Sequence, residues 1–194
     1  MAGFNLSVPG VGHGTKSNGM GKIMTDQTGI RTLNLKSGAL PTELSGTVLL
    51  ELALDKPAIQ SSTFDVYYAQ YAVDGNRGTD LFEDKCAHTG GNDINPWWMV
   101  DLVAVYSITS VRILNRGMDR NGIDVSHWLR DVTVTVGLKE SDINTPCGFF
   151  AGPGTLSQLV VVDCPTSPNG RFVRISKTTE ALTLCEVDVF GVAI

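Results

Sequence analysis

The sequence predicts an all-β fold, and three observations lead to that prediction. First, residues 132–136 read VTVTV, so apolar and hydroxyl side chains alternate with the period of two that a half-buried strand shows. Second, further short segments share this β-branched composition and are separated by clusters of Gly, Pro and Asn. Third, no long segment has the periodicity of an amphipathic helix. Short strands at turn-rich intervals predict an antiparallel sandwich or barrel, not alternating strands and helices.

The predicted strands follow a long leader. Residues 1–48 are rich in Gly, Ser, Thr and Asn and have sparse apolar periodicity, so we expect an extended, partly disordered segment there. Residues 49–194 are expected to form one domain, long enough to bury a core without metal or disulfides. The strand segments are SVRIL (110–114), VTVTV (132–136), SQLVVVD (157–163), RFVRIS (171–176) and EVDVFGV (186–192).

Charge and hydropathy exclude two kinds of partner. The net charge of -5 provides no positive field to attract a phosphate backbone, so we expect no nucleic-acid partner. The apolar run TVLLELAL (47–54) is too short to span a bilayer and contains Glu51, so we expect no membrane insertion. No charged start followed by an apolar core is present, so the chain shows no secretory signal.

Motifs for catalysis are weak. The stretch GHGTKS (12–17) places Thr15 between Gly14 and Lys16, whereas a phosphate-binding loop needs Gly directly before Lys. No GxSxG elbow occurs, and the histidines have no catalytic motif around them. We therefore expect that the protein is not an enzyme.

The cysteines indicate an oxidising compartment. Their wide spacing contains no CxxC pair, so a zinc site is not expected. The even count favours two disulfides over four buried thiols, with three connectivities open. Disulfides predict a secreted or extracellular protein, or one held in a secretory or acrosomal vesicle. The four are Cys86, Cys147, Cys164 and Cys185.

Seven segments between residues 52 and 191 occur in an order that resembles the F-type lectins, or fucolectins. The resemblance implies a discoidin-like β-sandwich with jelly-roll topology. It also implies a structural calcium ion and a shallow L-fucose site on loops at one end. The segments are LALDKPAIQSS, YAVDGNRGTD, CAHT, NPWWMVDLVAVYSITSVRILNRG, NTPCG, GRFVRIS and LTLCEVDVFG.

The resemblance places the calcium ion at the turn AVDGN (72–76). Calcium takes about six to eight oxygen ligands, and this turn supplies such oxygens, although DGN by itself is a common turn. The ligands implied are the side chains of Asp74 and Asn76, the carbonyls of Tyr71 and Lys85, and Glu186.

The resemblance also implies a disulfide pairing. It joins Cys86 to Cys185, which would bring their neighbours Lys85 and Glu186 close enough to share the ion. Cys147 and Cys164 would then form the second bond, whose loop of roughly 15 to 20 residues is worth about 3 kcal/mol in the chain-entropy model.

One histidine and two arginines donate hydrogen bonds to the sugar in the family, and charged donors make the stronger bonds to hydroxyl lone pairs. His88, two residues after the first cysteine, matches the histidine. Arg116 matches the first arginine. Asp119 would stand in for an aspartate that orients an arginine. Phe82 would present an apolar surface to the sugar.

The segment after Arg116 departs from the family. There, two adjacent cysteines form a disulfide that packs on the sugar, and the second arginine follows. Here the stretch GMDRNGIDVSHWLRDVTV (117–134) contains no cysteine, and Trp128 occupies the expected arginine position. Arg120 is our first substitute donor and Arg130 the second, while Met118 or Trp128 would replace the stacking surface.

The leading hypothesis is a calcium-stabilised lectin that binds fucose-containing glycans in cell recognition, either in innate defence or in gamete binding. The fucolectin-type domains of bivalve sperm bindins belong to the same resemblance. Because shallow sugar sites bind weakly, a homo-oligomer is possible. The alternative is a discoidin-like interaction module that has lost fucose affinity and binds a protein or another glycan, because residues 118–129 are rebuilt. Trp97 and Trp98 are assigned to packing.

Overall fold

The computed structural model describes residues 48–194, and their secondary structure is almost entirely β. The leader predicted over residues 1–48 lies outside the described residues except for Val48. Within the described range the helical elements are two 3₁₀ turns, Ala69–Ala72 and Ser126–Trp128, and no helix there has the length and apolar character to cross a membrane. The strands are β1 (Leu50–Glu51), β2 (Ala58–Gln60), β3 (Ala87–His88), β4 (Trp97–Leu114), β5 (Val132–Gly137), β6 (Thr145–Phe150), β7 (Leu159–Asp163), β8 (Asn169–Ser176), β9 (Thr183–Leu184) and β10 (Glu186–Ala193).

Strand β4 takes part in both layers of the fold. Its first half pairs with β2 and β8, and its second half pairs with β10 and β7, always antiparallel. The ladder with β8 is interrupted between Asp101 and Tyr106, where Val103 has a φ of 70° and donates its N–H to the Asp101 carboxylate at 2.8 Å. Positive φ is costly for a β-branched residue, so this turn marks a true bend. A strand that bends in this way can pass from one layer to the other.

The two layers follow from the pairing order. One contains β2, β4, β8, β5 and β6, and the other contains β1, β10, β4 and β7. The antiparallel sandwich expected from the sequence is confirmed, and each of the five segments overlaps a strand of this sandwich. A second, two-stranded sheet pairs β3 with β9, so that His88 lies opposite Thr183.

Period-two alternation fills the core between the layers. On β5, Val132, Val134 and Val136 are fully buried, whereas Thr133 and Thr135 between them are partly exposed. The valines belong to one continuous apolar cluster with buried residues of the other layer, including Val111, Ile113, Val187 and Val189. Burial of these side chains is the main stabilising contribution of the sandwich.

Trp98 links the core to the loops at the end of the sandwich. Its side chain is buried, and its indole N–H donates to the Ala69 carbonyl at 2.9 Å, which fixes the first 3₁₀ turn against β4. Trp97 is only partly buried, and the guanidinium carbon of Arg174 lies 4.7 Å from its ring centroid. Packing is therefore the role of both residues, as assigned from the sequence.

The disulfides are Cys86–Cys185 and Cys147–Cys164, so the pairing implied by the resemblance is confirmed. The first bond lies where β3 meets β9 and β10, and it places His88 two residues from a covalent anchor. The second joins β6 to the residue that follows β7.

Candidate functional site

His88 is held in one tautomer by its neighbour. Its Nδ1 lies 2.6 Å from the Thr89 carbonyl oxygen, and because a carbonyl can only accept, Nδ1 must carry the proton. Burial lowers the pKa of His88, the hydrogen bond to Thr89 raises it in part, and the charge of Arg116 lowers it further. The imidazole is therefore neutral at pH 7, and its Nε2 is an acceptor. The resemblance implied a histidine that donates to the sugar, whereas this tautomer would present an acceptor to it.

Arg116 and Asp119 form a buried ion pair. The Arg116 Nη2 donates to the Asp119 Oδ2 at 2.6 Å, and each residue is 5% exposed. The other carboxylate oxygen, Oδ1, accepts the N–H groups of Asn121 at 2.9 Å and Ile123 at 3.1 Å. Burial acts to raise the pKa of Asp119, but these backbone bonds and the Arg116 charge outweigh it, so the pKa lies below its usual range. Asp119 thus fixes both the arginine and the loop that follows it.

Arg116 retains a donor that no protein group satisfies. Its Nε is buried and has no hydrogen-bond partner among residues 48–194. A buried donor without a partner costs about 1–3 kcal/mol unless a ligand or water meets it.

Asn115 orients Arg116, and the sequence analysis missed it. Its Oδ1 accepts the Arg116 N–H at 2.9 Å, and its Nδ2 donates to the Ser126 and Thr155 carbonyls at 2.9 and 2.8 Å. The same amide thus joins the arginine to the second 3₁₀ turn. The sequence signal for this role was the position of Asn115 in LNRG, directly between the end of a strand and the predicted sugar-binding arginine.

Aromatic side chains surround His88. The ring centroid of Phe64 lies 5.0 Å from that of His88, Trp128 lies 6.2 Å away in an edge arrangement, and Tyr67 lies 6.5 Å away. Tyr67 also meets Phe82 edge-on at 6.5 Å, and Phe64 is 47% exposed. The sequence did not lead us to place Phe64 and Tyr67 at the site, although the presence of three aromatic residues within positions 64–68 indicated an aromatic cluster.

The structure distinguishes the two candidates for the stacking surface. Trp128 is brought to His88, with the two rings nearly perpendicular. Met118, which follows Arg116 in the rebuilt loop, is 52% exposed. The indole is therefore the apolar group that contacts the predicted site.

Arg120 lies at the rim of this aromatic cluster. Its guanidinium carbon is 4.9 Å from the Phe82 ring centroid, and its Nη1 donates to Glu83 at 2.9 Å in an exposed pair. Burial and then Asp65 raise the pKa of Tyr67, whereas the charges of Arg116 and Arg120 lower it, so both guanidinium groups act on this phenol. Arg120 is thus placed with Arg116.

Arg130 is placed elsewhere. Its guanidinium pairs with Glu180, and its charge acts on the buried ammonium of Lys177. Both substitute donors are thus paired, Arg120 with Glu83 and Arg130 with Glu180. The difference between them is that the charges of Arg116 and Arg120 both act on the Tyr67 phenol beside His88, whereas the charge of Arg130 acts on Lys177.

Glu186 is the centre of the predicted calcium site. It is 3% exposed, its Oε1 accepts the Gly75 N–H at 3.1 Å, and its Oε2 is buried with no partner among the described residues. Burial raises the pKa of Glu186 to about 7, and the nearby charges of Asp74 and Asp188 add to the rise. A cation at Oε2 would satisfy this oxygen, so the residues fit a calcium ion.

The other predicted ligands surround the same turn. Asn76 donates its side-chain Nδ2 to the Asp84 carbonyl at 2.9 Å and accepts the Gly78 N–H at 2.9 Å, so its amide braces the loop. Lys85 has a φ of 66°, and its ammonium lies 5.7 Å from the Tyr67 ring centroid, so its carbonyl is the group left for an ion.

Tyr71 lies in the first 3₁₀ turn. Across residues 48–194, no three His, Cys, Asp or Glu side chains converge on a metal position. An ion here would therefore need backbone carbonyls such as that of Tyr71.

Comparison with known families identifies the domain. Residues 71–175 match the family model F5/F8 type C, described as a NedA-like, galactose-binding domain. The matched range contains His88, Arg116 and Asp119, together with the whole of the predicted calcium turn, and it ends before Glu186.

Two curated relatives come from the eel Anguilla japonica. The chain is 39% identical to Fucolectin-1 over 120 residues, which covers 61% of this chain and 65% of that protein. It is 35% identical to Fucolectin-4 over 166 residues, which covers 82% of this chain and 88% of that protein. The chain therefore spans slightly less than two thirds of the first relative and most of the second.

Two solved structures have the same fold. The serum f-lectin (fucolectin) of striped bass, Morone saxatilis, aligns with a TM-score of 0.65 at 28% identity, covering 75% of this chain and 48% of that one. The lectin domain of lectinolysin, complexed with the Lewis B antigen, aligns with a TM-score of 0.64 at 30% identity, covering 74% of this chain and 98% of that one. The matching family model, the sequence identity and the shared sandwich show that this chain belongs to the F-type lectin (fucolectin) family, whose members are non-enzymatic modules with a discoidin-like fold.

Proposed function

We propose that the protein is a calcium-stabilised lectin that binds fucose-containing glycans at the loops around His88 and Arg116. The observation that carries this proposal is the placement of Arg116, which Asp119 holds and whose charge acts on His88, beside the aromatic side chains that surround this histidine. Protein sites meet sugars through such cationic donors because every hydroxyl offers lone pairs. A sugar hydroxyl that meets the Arg116 guanidinium would gain a charge-assisted hydrogen bond.

The two polar groups at the site are complementary toward a hydroxyl. Arg116 donates, and the neutral His88 accepts through Nε2. One hydroxyl would therefore accept a hydrogen bond from Arg116 and donate one to His88. A charged donor makes a shorter and stronger bond to such a hydroxyl than a neutral donor would.

The aromatic cluster supplies the apolar half of a sugar site. Phe64 is largely exposed beside His88, and the edge of Trp128 faces the same imidazole. Such surfaces cover the apolar side of a sugar ring and a methyl substituent like that of fucose. Phe82 extends the cluster toward Arg120, which is placed to act as the second cationic donor.

The relatives support this choice of sugar. Two Anguilla relatives are named fucolectins. The lectinolysin domain was solved with the Lewis B antigen, and a neighbour from Streptococcus pneumoniae, 26% identical with a TM-score of 0.62, is described as a fucose binding module. These are properties of those proteins, and for this chain they make fucose the first ligand to test.

A calcium ion would be held by Glu186, Asp74 and Asn76 with the carbonyls of Tyr71 and Lys85. When bound, it would supply positive charge at the unpaired Glu186 Oε2. This chain's own residues then keep the loop in place: the Cys86–Cys185 bond joins the neighbours of Lys85 and Glu186, and Gly75 binds Glu186.

The setting of this binding is part of the proposal. Two disulfides suit a secreted or extracellular lectin, and weak single sites suit a homo-oligomer that recognises cells by avidity. Innate defence and gamete recognition both use such a protein.

Calorimetric titration of the calcium-loaded protein with methyl α-L-fucoside tests the proposal. Arg116→Lys keeps a cation opposite Asp119 but lacks the planar guanidinium and its several donors, so we expect binding to fall at least about tenfold in a folded variant. Arg171→Ala, which removes a partly exposed arginine paired with Asp101, is the matched control and should bind normally. Absence of fucoside binding by the folded wild type would sink the proposal.

A second function is favoured by one observation. The rebuilt loop exposes two apolar side chains, Met118 at 52% and Ile123 at 51%. These side chains would suit a protein partner. If the wild type fails to bind the fucoside, an interaction module that has lost fucose affinity becomes the better description.

A further inference from the structure

Lys177 is a buried lysine in the loop that follows β8. Its side chain is 0% exposed, and its backbone N–H donates to the Pro96 carbonyl at 3.1 Å. The Nζ donates to the Trp128 carbonyl and to the Ala181 carbonyl, the latter at 3.5 Å. Removing an ammonium group from water is expensive, so this lysine is placed at a cost that its contacts must offset.

The two carbonyls belong to segments on either side of His88. Trp128 ends the second 3₁₀ turn, and its ring lies edge-on to the imidazole with 6.2 Å between centroids. Ala181 precedes Leu182, which leads into β9. Leu182 exchanges two hydrogen bonds with Thr89, one from the Thr89 N–H at 3.0 Å and one to the Thr89 Oγ1 at 2.9 Å.

Thr89 completes the connection. Its carbonyl accepts the Nδ1 proton of His88 and so determines which imidazole nitrogen faces a ligand. A continuous set of hydrogen bonds therefore runs from Trp128 through Lys177 to Ala181, and from Leu182 through Thr89 to His88. The Lys177 ammonium is therefore hydrogen-bonded to the segments that carry both side chains of the proposed sugar site, the Trp128 indole and the His88 imidazole.

We propose that Lys177 is a positioning residue for sugar binding, whose ammonium clips the Trp128 and Ala181 carbonyls together and so sets the indole against His88. We call these three groups the Lys177 clip. The inference rests on the proposed fucose site, and it adds a residue that lies outside it. Lys177 would not touch the sugar itself.

Within the described residues, three charged side chains face the clip, those of Glu180, Arg130 and Asp131. The Glu180 carboxylate lies 3.8 Å from the Lys177 Nζ and also binds Arg130. The negative charges of Glu180 and Asp131 raise the pKa of Lys177, and the positive charge of Arg130 lowers it. Burial lowers the pKa of Lys177 to about 8. The pKa values of the Glu180 carboxyl and of His88 are both lowered from their usual ranges, so between about pH 7 and 9.5 Lys177 is the group that changes charge.

The expected pH effect follows from the donor strength of the clip. An ammonium group makes stronger hydrogen bonds to carbonyls than a neutral amine does. Deprotonation above about pH 8 would therefore loosen the Trp128 segment and weaken sugar binding. A lysine that only filled space would give no such dependence.

The test is calorimetric titration of the full chain with methyl α-L-fucoside in calcium buffer across this pH window. We expect the wild type to lose about tenfold in affinity as the pH passes Lys177's titration, and Lys177→Met to bind about tenfold more weakly at pH 7 with a flat profile. Met has similar volume and fills the same space. Lys139→Met, an exposed lysine in the β5–β6 turn, is the matched control and should follow the wild type.

Tryptophan fluorescence gives a readout that needs no sugar. The difference in emission between the wild type and Trp128→Phe reports the indole, and we expect it to change between pH 7 and 9.5 only when Lys177 is present. If Lys177→Met does not fold, Lys177→Gln replaces it, because the amide keeps one donor without the charge.

The outcomes separate the two proposals. If the wild type binds the fucoside and folded Lys177→Met has the same affinity and the same pH profile, the clip is overturned while the sugar site stands. If the wild type does not bind the fucoside at any pH, the proposed sugar site is wrong, and the fluorescence measurement then decides whether Lys177 positions the Trp128 indole. A pH-dependent Trp128 signal that Lys177→Met abolishes then supports it, and an identical signal in both proteins overturns it.

Discussion

Arg116 donates to Asp119 across 2.6 Å, and both side chains are almost fully buried in a loop where the sequence departs from its family. The carboxylate also accepts two backbone N–H groups of that loop, from Asn121 and Ile123. A single acid thus holds the proposed sugar donor and folds the segment after it. Loss of the acid would affect both the stability and the binding of the domain.

We predict that Asp119→Asn destabilises the protein by about 3 kcal/mol, because removing one partner leaves a buried guanidinium without its counter-charge. The measurement is the free energy of unfolding in urea. Glu83→Gln breaks the exposed pair with Arg120 and serves as control, with an expected loss below about 1 kcal/mol. Equal effects of the two substitutions would show that burial does not distinguish the pairs.

The same carboxylate gives a prediction for acid stability. The pKa of Asp119 is lowered in the folded protein, so its contribution is fully present above its unfolded pKa of about 4 and is lost as the pH falls through the folded pKa. Urea unfolding between pH 3 and 6 should therefore show a shallower pH dependence in Asp119→Asn than in the wild type. Matching slopes would contradict the assignment.

Calcium is predicted to raise the melting temperature, because an ion bound only by the folded protein stabilises it by mass action. Chelation should lower the melting temperature of the wild type. Glu186→Gln removes the buried unpaired charge, so this variant should lose most of the calcium response while Glu83→Gln keeps it. An unchanged wild-type melting curve after thorough chelation would refute the calcium site.

Trp128 is predicted to be the stacking surface that replaces the missing cysteine pair. Trp128→Ala should weaken fucoside binding about tenfold, since an aromatic contact with a ligand ring is worth roughly 1 kcal/mol beyond its buried area. Met118→Ala should bind as the wild type does. Calorimetry on both variants decides between them, and the reverse order of effects would place the sugar on the other side of the loop.

The sandwich was predictable because its signal is local and repeated. In VTVTV every second residue faces the core, so the pattern reports burial directly, as the buried Val132, Val134 and Val136 show. The bend at Val103 was not predictable, because a positive φ in a β-branched residue is imposed by the two layers that β4 joins and not by its own preference. The same holds for β3 and β9, which are too short to show alternation.

The candidate site was predictable only where its residues lie close to a recognisable motif. His88 and Arg116 follow a cysteine and a strand end that fix their place in the chain. Phe64 and Lys177 reach the same region from segments with no motif, and their roles arise from tertiary contacts. Arg120 was the first substitute donor and Arg130 the second, and the structure adds that the charge of Arg120 acts on Tyr67 whereas that of Arg130 acts on Lys177.

The most direct measurement is a crystal structure of the calcium-loaded protein with methyl α-L-fucoside. The account predicts one sugar hydroxyl within hydrogen-bond distance of both the Arg116 guanidinium and the His88 Nε2, with the Trp128 indole beside the ring. A sugar bound at another surface, or an Arg116 guanidinium that makes no contact with the sugar in the complex, would contradict it.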